Sequence, residues 1–142
     1  MINSIWVLVA NAGRARLFSS SSRNGRLIEK AAWIDSEARL RSRDILSDKA
    51  GHGHDKNGLS RHAMSRKMNL KSEEATRFAR MVCEKLADVP CERLHIAAAP
   101  AFLGHLRECM GSRLRKKITS EIAKDLTALD CTNLRQHLPD FL

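Results

Sequence analysis

Ile5-Trp6-Val7-Leu8-Val9-Ala10, then Asn11-Ala12-Gly13, then Ala15-Arg16-Leu17-Phe18-Ser19, is the stretch that decides the architecture of this chain. The first six residues are a continuous apolar run rich in Ile, Val and Leu, the pattern of a strand buried on both faces. Asn-Ala-Gly is turn chemistry. The alternation that follows predicts a second strand folding back as a hairpin. Ser19 to Gly25 reads as a second turn, and Leu27 to Ile34 as a third strand with Ile28, Ala32 and Ile34 on its inner face. Three strands joined by short turns predict an antiparallel meander.

The rest of the chain alternates helix and strand. Ser72 is a good N-cap, and Glu73 and Glu74 suit a first helical turn. Ala75, Phe78, Ala79, Val82 and Leu86 then recur at three- and four-residue steps as one apolar stripe, and Pro90 stops the helix. Leu94 to Ala99 predicts a short buried strand. Pro100 opens a helix with Phe102, Leu103 and Leu106 inward and Gly111 as its cap. A last strand is expected within Lys117 to Lys124. A closing helix follows, capped by Asp130, with Leu134 and Leu138 inward. The order β-β-β-α-β-α-β-α predicts an α/β fold with a mixed sheet. It is the element order of the ribonuclease-H-like architecture. A single domain is expected over residues 1–142.

Composition narrows the partners. Net charge is +9 and the sequence pI is about 10.0. Such a balance favours nucleic acid, the ribosome or an anionic surface. Aromatic residues are 4% of the chain, with no tyrosine, so the core must be mostly aliphatic. No segment reaches the roughly 18 apolar residues of a membrane span. The opening apolar run lacks a basic leader, and a cytoplasmic location is expected. Cys83, Cys91, Cys109 and Cys131 form no C-x-x-C pair, so neither a metal site nor a disulfide framework is read from them.

The candidate site is the stretch from Ser47 to Lys71, too long and polar for an ordinary connection. It reads as a basic loop before the first main helix, mobile around Gly51 to Gly58. Lys49, Lys56, Arg66, Lys67 and Lys71 are its expected phosphate contacts. Within Ser60-Arg61-His62-Ala63-Met64, Arg61 can hold a phosphate and His62 can move a proton. His52-Gly53-His54 lacks the rigid frame of a metal site and reads as solvated loop. A second cluster, Arg113, Arg115, Lys116 and Lys117, can track a phosphate backbone. No aromatic interleaves with either cluster, so base stacking is not expected. A two-metal nuclease needs a carboxylate on the first strand, and that strand has none. Asp125 and Asp130 lie late in the chain without an obvious partner there. No cofactor and no metal are expected.

Several motifs together resemble the bacterial host-attachment protein family. They are Trp6 to Ala10 with Gly13 to Phe18, Leu46 to Gly51, Arg61-His62-Ala63-Met64, Arg77-Phe78-Ala79, Ala98 to Gly104, Leu114-Arg115-Lys116, and Glu121 to Thr127. That family is similar in turn to the middle domain of archaeal and eukaryotic class-1 peptide release factors. There a Gly-Gly-Gln loop precedes a helix with an Arg-Phe-Ala-Arg stretch and helps hydrolyse peptidyl-tRNA. Arg77-Phe78-Ala79-Arg80 matches that helix, but Gly-Gly-Gln is missing, and Gln136 is the only glutamine. The resemblance implies tRNA or the ribosome as partner, in an accessory or rescue role. Any ester hydrolysis would fall to Arg61 and His62. The family name implies the alternative, a non-catalytic protein that engages a component of the host-cell surface.

Overall fold

The apolar run at the start of the chain becomes the central strand of a five-stranded sheet. The computed structural model describes residues 5–35, 59–139 and 142. The strands are β1 (Ile5–Ala10), β2 (Arg14–Ser20), β3 (Ile28–Ile34), β4 (Arg93–Ala98) and β5 (Ile118–Ile122). Their order across the sheet is β3-β2-β1-β4-β5. β1, β2 and β3 form the expected antiparallel meander, whereas β4 pairs parallel to β1 and β5 parallel to β4. The mixed α/β fold read from the element order is the one observed, and this strand order is the ribonuclease-H-like arrangement.

Burial on both faces of β1 explains its unbroken hydrophobicity. Leu8 and Ala10 join one core with α1 (Leu59–Ala87) and α2 (Pro100–Cys109). Ile5, Val7 and Val9 join a second core behind the sheet, with Leu134 of α4 (Cys131–Gln136) and with Leu138 and Leu142. A short α3 (Ser112–Arg115) contributes Leu114 to the first core. The predicted stripe of Ala75, Phe78, Ala79, Val82 and Leu86 is buried throughout. Phe78 and Phe102, with ring centroids 5.8 Å apart, link α1 to α2. Asp130 caps α4 as expected, its carboxylate accepting from the Asn133 amide at 2.8 Å.

Three local expectations are corrected. The first main helix begins at Leu59, not Ser72, so residues 59–71 of the supposed loop are helical backbone. This stretch has no Gly or Pro and is rich in Leu, Met, Arg and Lys, so propensity favours the extension. Ser72 is then interior, and its carbonyl accepts from the Thr76 hydroxyl. Secondly, Ile28, Ala32 and Ile34 of β3 are exposed, and Ala31 and Trp33 pack on the first core instead. Leu17 pairs with Ala31 but Phe18 with Glu29, so Lys30 is an extra residue that shifts the alternation by one. Thirdly, Gly111 has φ −76° and opens α3, and Met110 is the extended C-cap of α2.

Candidate nucleic-acid interface

The fold sends the two predicted cation clusters to opposite ends of the sheet. β1, β4 and β5 run parallel, so their C-terminal ends share one edge and their N-terminal ends the other. α1 leads into β4 and packs on the same core, so its first turns lie toward the C-terminal edge. Its 29 residues span about 43 Å, against about 20 Å for the six of β4. Glu74 and Ala75 of α1 are buried, whereas Leu70, Ser72 and Glu73 are exposed. At about twice the strand's length, the helix reaches beyond the strand's end.

Arg61, His62, Arg66, Lys67 and Lys71 all fall in the first half of α1. Lys49 and Lys56, with His52 and His54, lie outside the described residues. Arg113 and Arg115 sit on α3, and Lys116 follows, at the N-terminal edge. Among the described residues, the two clusters are not brought together.

At the C-terminal edge the polar groups answer one another. The Asn11 side-chain amide, just past β1, donates to Asp125 at 2.9 Å and to the Thr127 hydroxyl at 3.1 Å. Its oxygen accepts from the Gly13 and Arg14 amides. The Arg14 guanidinium donates to the Thr127 carbonyl, and Arg16 donates to the same carbonyl at 3.0 Å and to Leu129 at 2.6 Å. Arg16 also pairs with Glu29 at 2.8 Å. Burial works to raise the Asp125 carboxyl, but the bonds from Thr127 and Asn11, with the Arg14 charge, hold it below its ordinary value. β1 itself carries no carboxylate, and Asp125 meets Asn11, the residue just past it. Spacing along the chain gives no hint of it, since 114 residues separate the two.

The family now follows. The profile described as "Protein required for attachment to host cells" matches residues 6–138. The chain belongs to the host-attachment family. A comparison with curated proteins finds no match. Among solved structures, the host-attachment chain is similar to the type II variant of the Aquifex aeolicus Ppx/GppA phosphatase, with a TM-score of 0.36 and 13% identity. The likeness covers 85% of this chain and 35% of that one, and it carries no functional argument.

Two further features of the host-attachment chain bear on chemistry. A cleft of about 690 Å³ between α1, α2 and α3 is floored by Cys83, Leu86, Cys109 and Leu114. Burial, with the neighbouring Cys109, pushes the Cys83 thiol up to about 12, which makes it a poor nucleophile. Behind the sheet, His95 of β4 is 2% exposed. Its Nδ1 lies 2.6 Å from the Ser120 hydroxyl, and its Nε2 has no hydrogen-bond partner. No helix among the described residues is long and apolar enough to cross a membrane.

Proposed function

We propose that this host-attachment protein binds RNA, with tRNA or the ribosome as partner, through the basic N-terminal half of α1. The observation that carries this reading is the difference in length between α1 and the strand it leads into. α1 has 29 residues against six for β4, and its first half carries Arg61, Arg66, Lys67 and Lys71. A cationic half-helix that reaches beyond the strands suits an anionic partner. Arg61, Arg66, Lys67 and Lys71 would meet phosphates.

The resemblance to the release-factor middle domain supports a role in termination or rescue, acting on peptidyl-tRNA. Catalysis there needs a group that positions water. Gln136, the only glutamine, ends α4 behind the sheet. It belongs to a different element from the start of α1, so hydrolysis would depend on Arg61 and His62. A second reading, favoured by the family description, is direct attachment to a host-cell component without catalysis.

Co-sedimentation with ribosomes at low and moderate salt, beside an Arg61→Ala/His62→Ala variant, tests the first reading. Binding that survives moderate salt and is lost in the variant is the expected result. Equal, weak binding by both proteins would overturn it and favour attachment.

A further inference from the structure

The N-terminal edge of the sheet gathers charge from turns that are far apart in sequence. The register puts Ile5 opposite both Ser20 and Arg93, and Leu94 opposite Ile118. The turns 20–27, 85–93 and 110–118 therefore meet along one edge. They hold two, two and four Lys or Arg residues, against Asp88 and Glu92 alone. That is an excess of six positive charges, in a chain whose net charge is +9. Five strands spaced at about 4.8 Å make this band roughly 19 Å wide.

Two observations show that the band is not neutralised from within. Among the described residues, no carboxylate pairs with Arg93, Arg113, Lys116 or Lys117. The field also reaches the interior. Burial first, then Arg93, Arg135 and Arg23, holds the His95 imidazole below its ordinary value. Residues on β4, on α4 and in the β2–β3 turn thus converge on one place.

We propose that this edge is a second nucleic-acid surface, in which Arg23, Arg93, Lys116 and Lys117 take the phosphate backbone of RNA. It deepens the RNA-binding reading and rests on it. Guanidinium groups suit bidentate phosphate contacts. The contacts lie on strand starts and tight turns, so little ordering is needed on binding. A bilayer fits less well. Of the exposed large apolar side chains among the described residues, only Ile28 adjoins the band, which leaves little to insert. With the α1 half-helix at the other edge, one RNA held at both ends of the sheet gains avidity from the link.

The test is fluorescence anisotropy with a labelled single-stranded RNA of about 20 nucleotides, read over a range of salt. The variant Arg93→Glu/Lys116→Glu/Lys117→Glu should bind at least about tenfold more weakly, with its salt slope reduced by about 2, given about 0.7 per lost contact. Glu92→Lys should bind more tightly, a gain that misfolding cannot imitate. Wild-type affinity and slope in the triple variant, no gain in Glu92→Lys, or loss confined to Arg61→Ala/His62→Ala would overturn the second surface and leave the α1 reading standing. Absence of RNA binding by the unmodified protein would overturn both. A triple variant that still binds RNA but no longer sediments with phosphatidylserine vesicles would reassign the edge to a membrane surface.

Discussion

The two edges of this sheet carry similar residue types and use them differently. At the C-terminal edge Arg14, Arg16, Asn11, Asp125, Thr127 and Glu29 bond to one another, so their polarity is spent inside the chain. At the N-terminal edge Arg93, Arg113, Lys116 and Lys117 have no carboxylate partner among the described residues. A cation paired within the fold fixes a loop, whereas one left in solvent raises the local potential and recruits a counter-charge. The comparison separates the arginines that hold the structure from those available to a ligand.

Breaking the C-terminal network should have the largest effect on stability. Arg16→Leu removes donors to the Thr127 and Leu129 carbonyls and leaves Glu29 without its partner. Hydrogen bonds to charged groups contribute about 1.5–3 kcal/mol, so a loss of about 3 kcal/mol is expected in chemical denaturation. RNA affinity per folded molecule should stay unchanged. A loss of less than about 0.5 kcal/mol would show that the network is decorative.

His95 makes the N-terminal edge sensitive to acid. Its folded-state proton affinity lies below the ordinary value, because of burial and the nearby arginines. The unfolded chain therefore binds more protons once pH falls below about 6.5, so this contribution is full above that value and is lost as pH falls from there through the lower folded value. The slope from this group is at most about 1.4 kcal/mol per pH unit. Denaturation midpoints between pH 7 and 5 should fall more steeply for the native protein than for His95→Gln. Parallel curves would show that His95 does not carry the effect. RNA bound at Arg23 and Arg93 should flatten the slope by offsetting their charge.

Much of the fold was legible because burial writes directly into sequence. The run Ile5 to Ala10 and the stripe from Ala75 to Leu86 must be apolar to be covered, and both were. β3 was read out of phase because a bulge at Lys30 breaks the period of two without any mark in composition. The start of α1 was misplaced because Ser72-Glu73-Glu74 imitates a helix start inside a longer helix. For the interface, the run from Arg113 to Lys117 was visible as adjacent letters. Arg23 and Arg93 were not, since only strand register brings them beside it. The partnership of Asn11 with Asp125 was hidden for the same reason.

A smaller change tests how the Asp125 turn is held. Asp125→Ala removes the acceptor for the Asn11 amide and for the Thr127 amide and hydroxyl. The group is exposed, so about 1 kcal/mol is expected. Its carboxyl is held below the ordinary value, so its contribution is present above about pH 4 and disappears as pH falls through the lower folded value. The variant should show less acid destabilisation below pH 4 than the native protein, and an unchanged acid limb would reject the role.

The smallest expected effect concerns the helix that joins the two edges. α4 begins at the C-terminal edge, where Asp130 caps it beside the Leu129 carbonyl held by Arg16. It ends near the N-terminal edge, where Arg135 donates to the Gly25 and Arg23 carbonyls. Asp130→Ala leaves an N-terminal amide without its cap and should cost about 1 kcal/mol. If α4 couples the edges, the loss should appear as faster amide exchange at both Asn133 and the β2–β3 turn. Faster exchange at Asn133 alone would mean that the edges are independent, and that the N-terminal band is positioned by strand register without help from the helix.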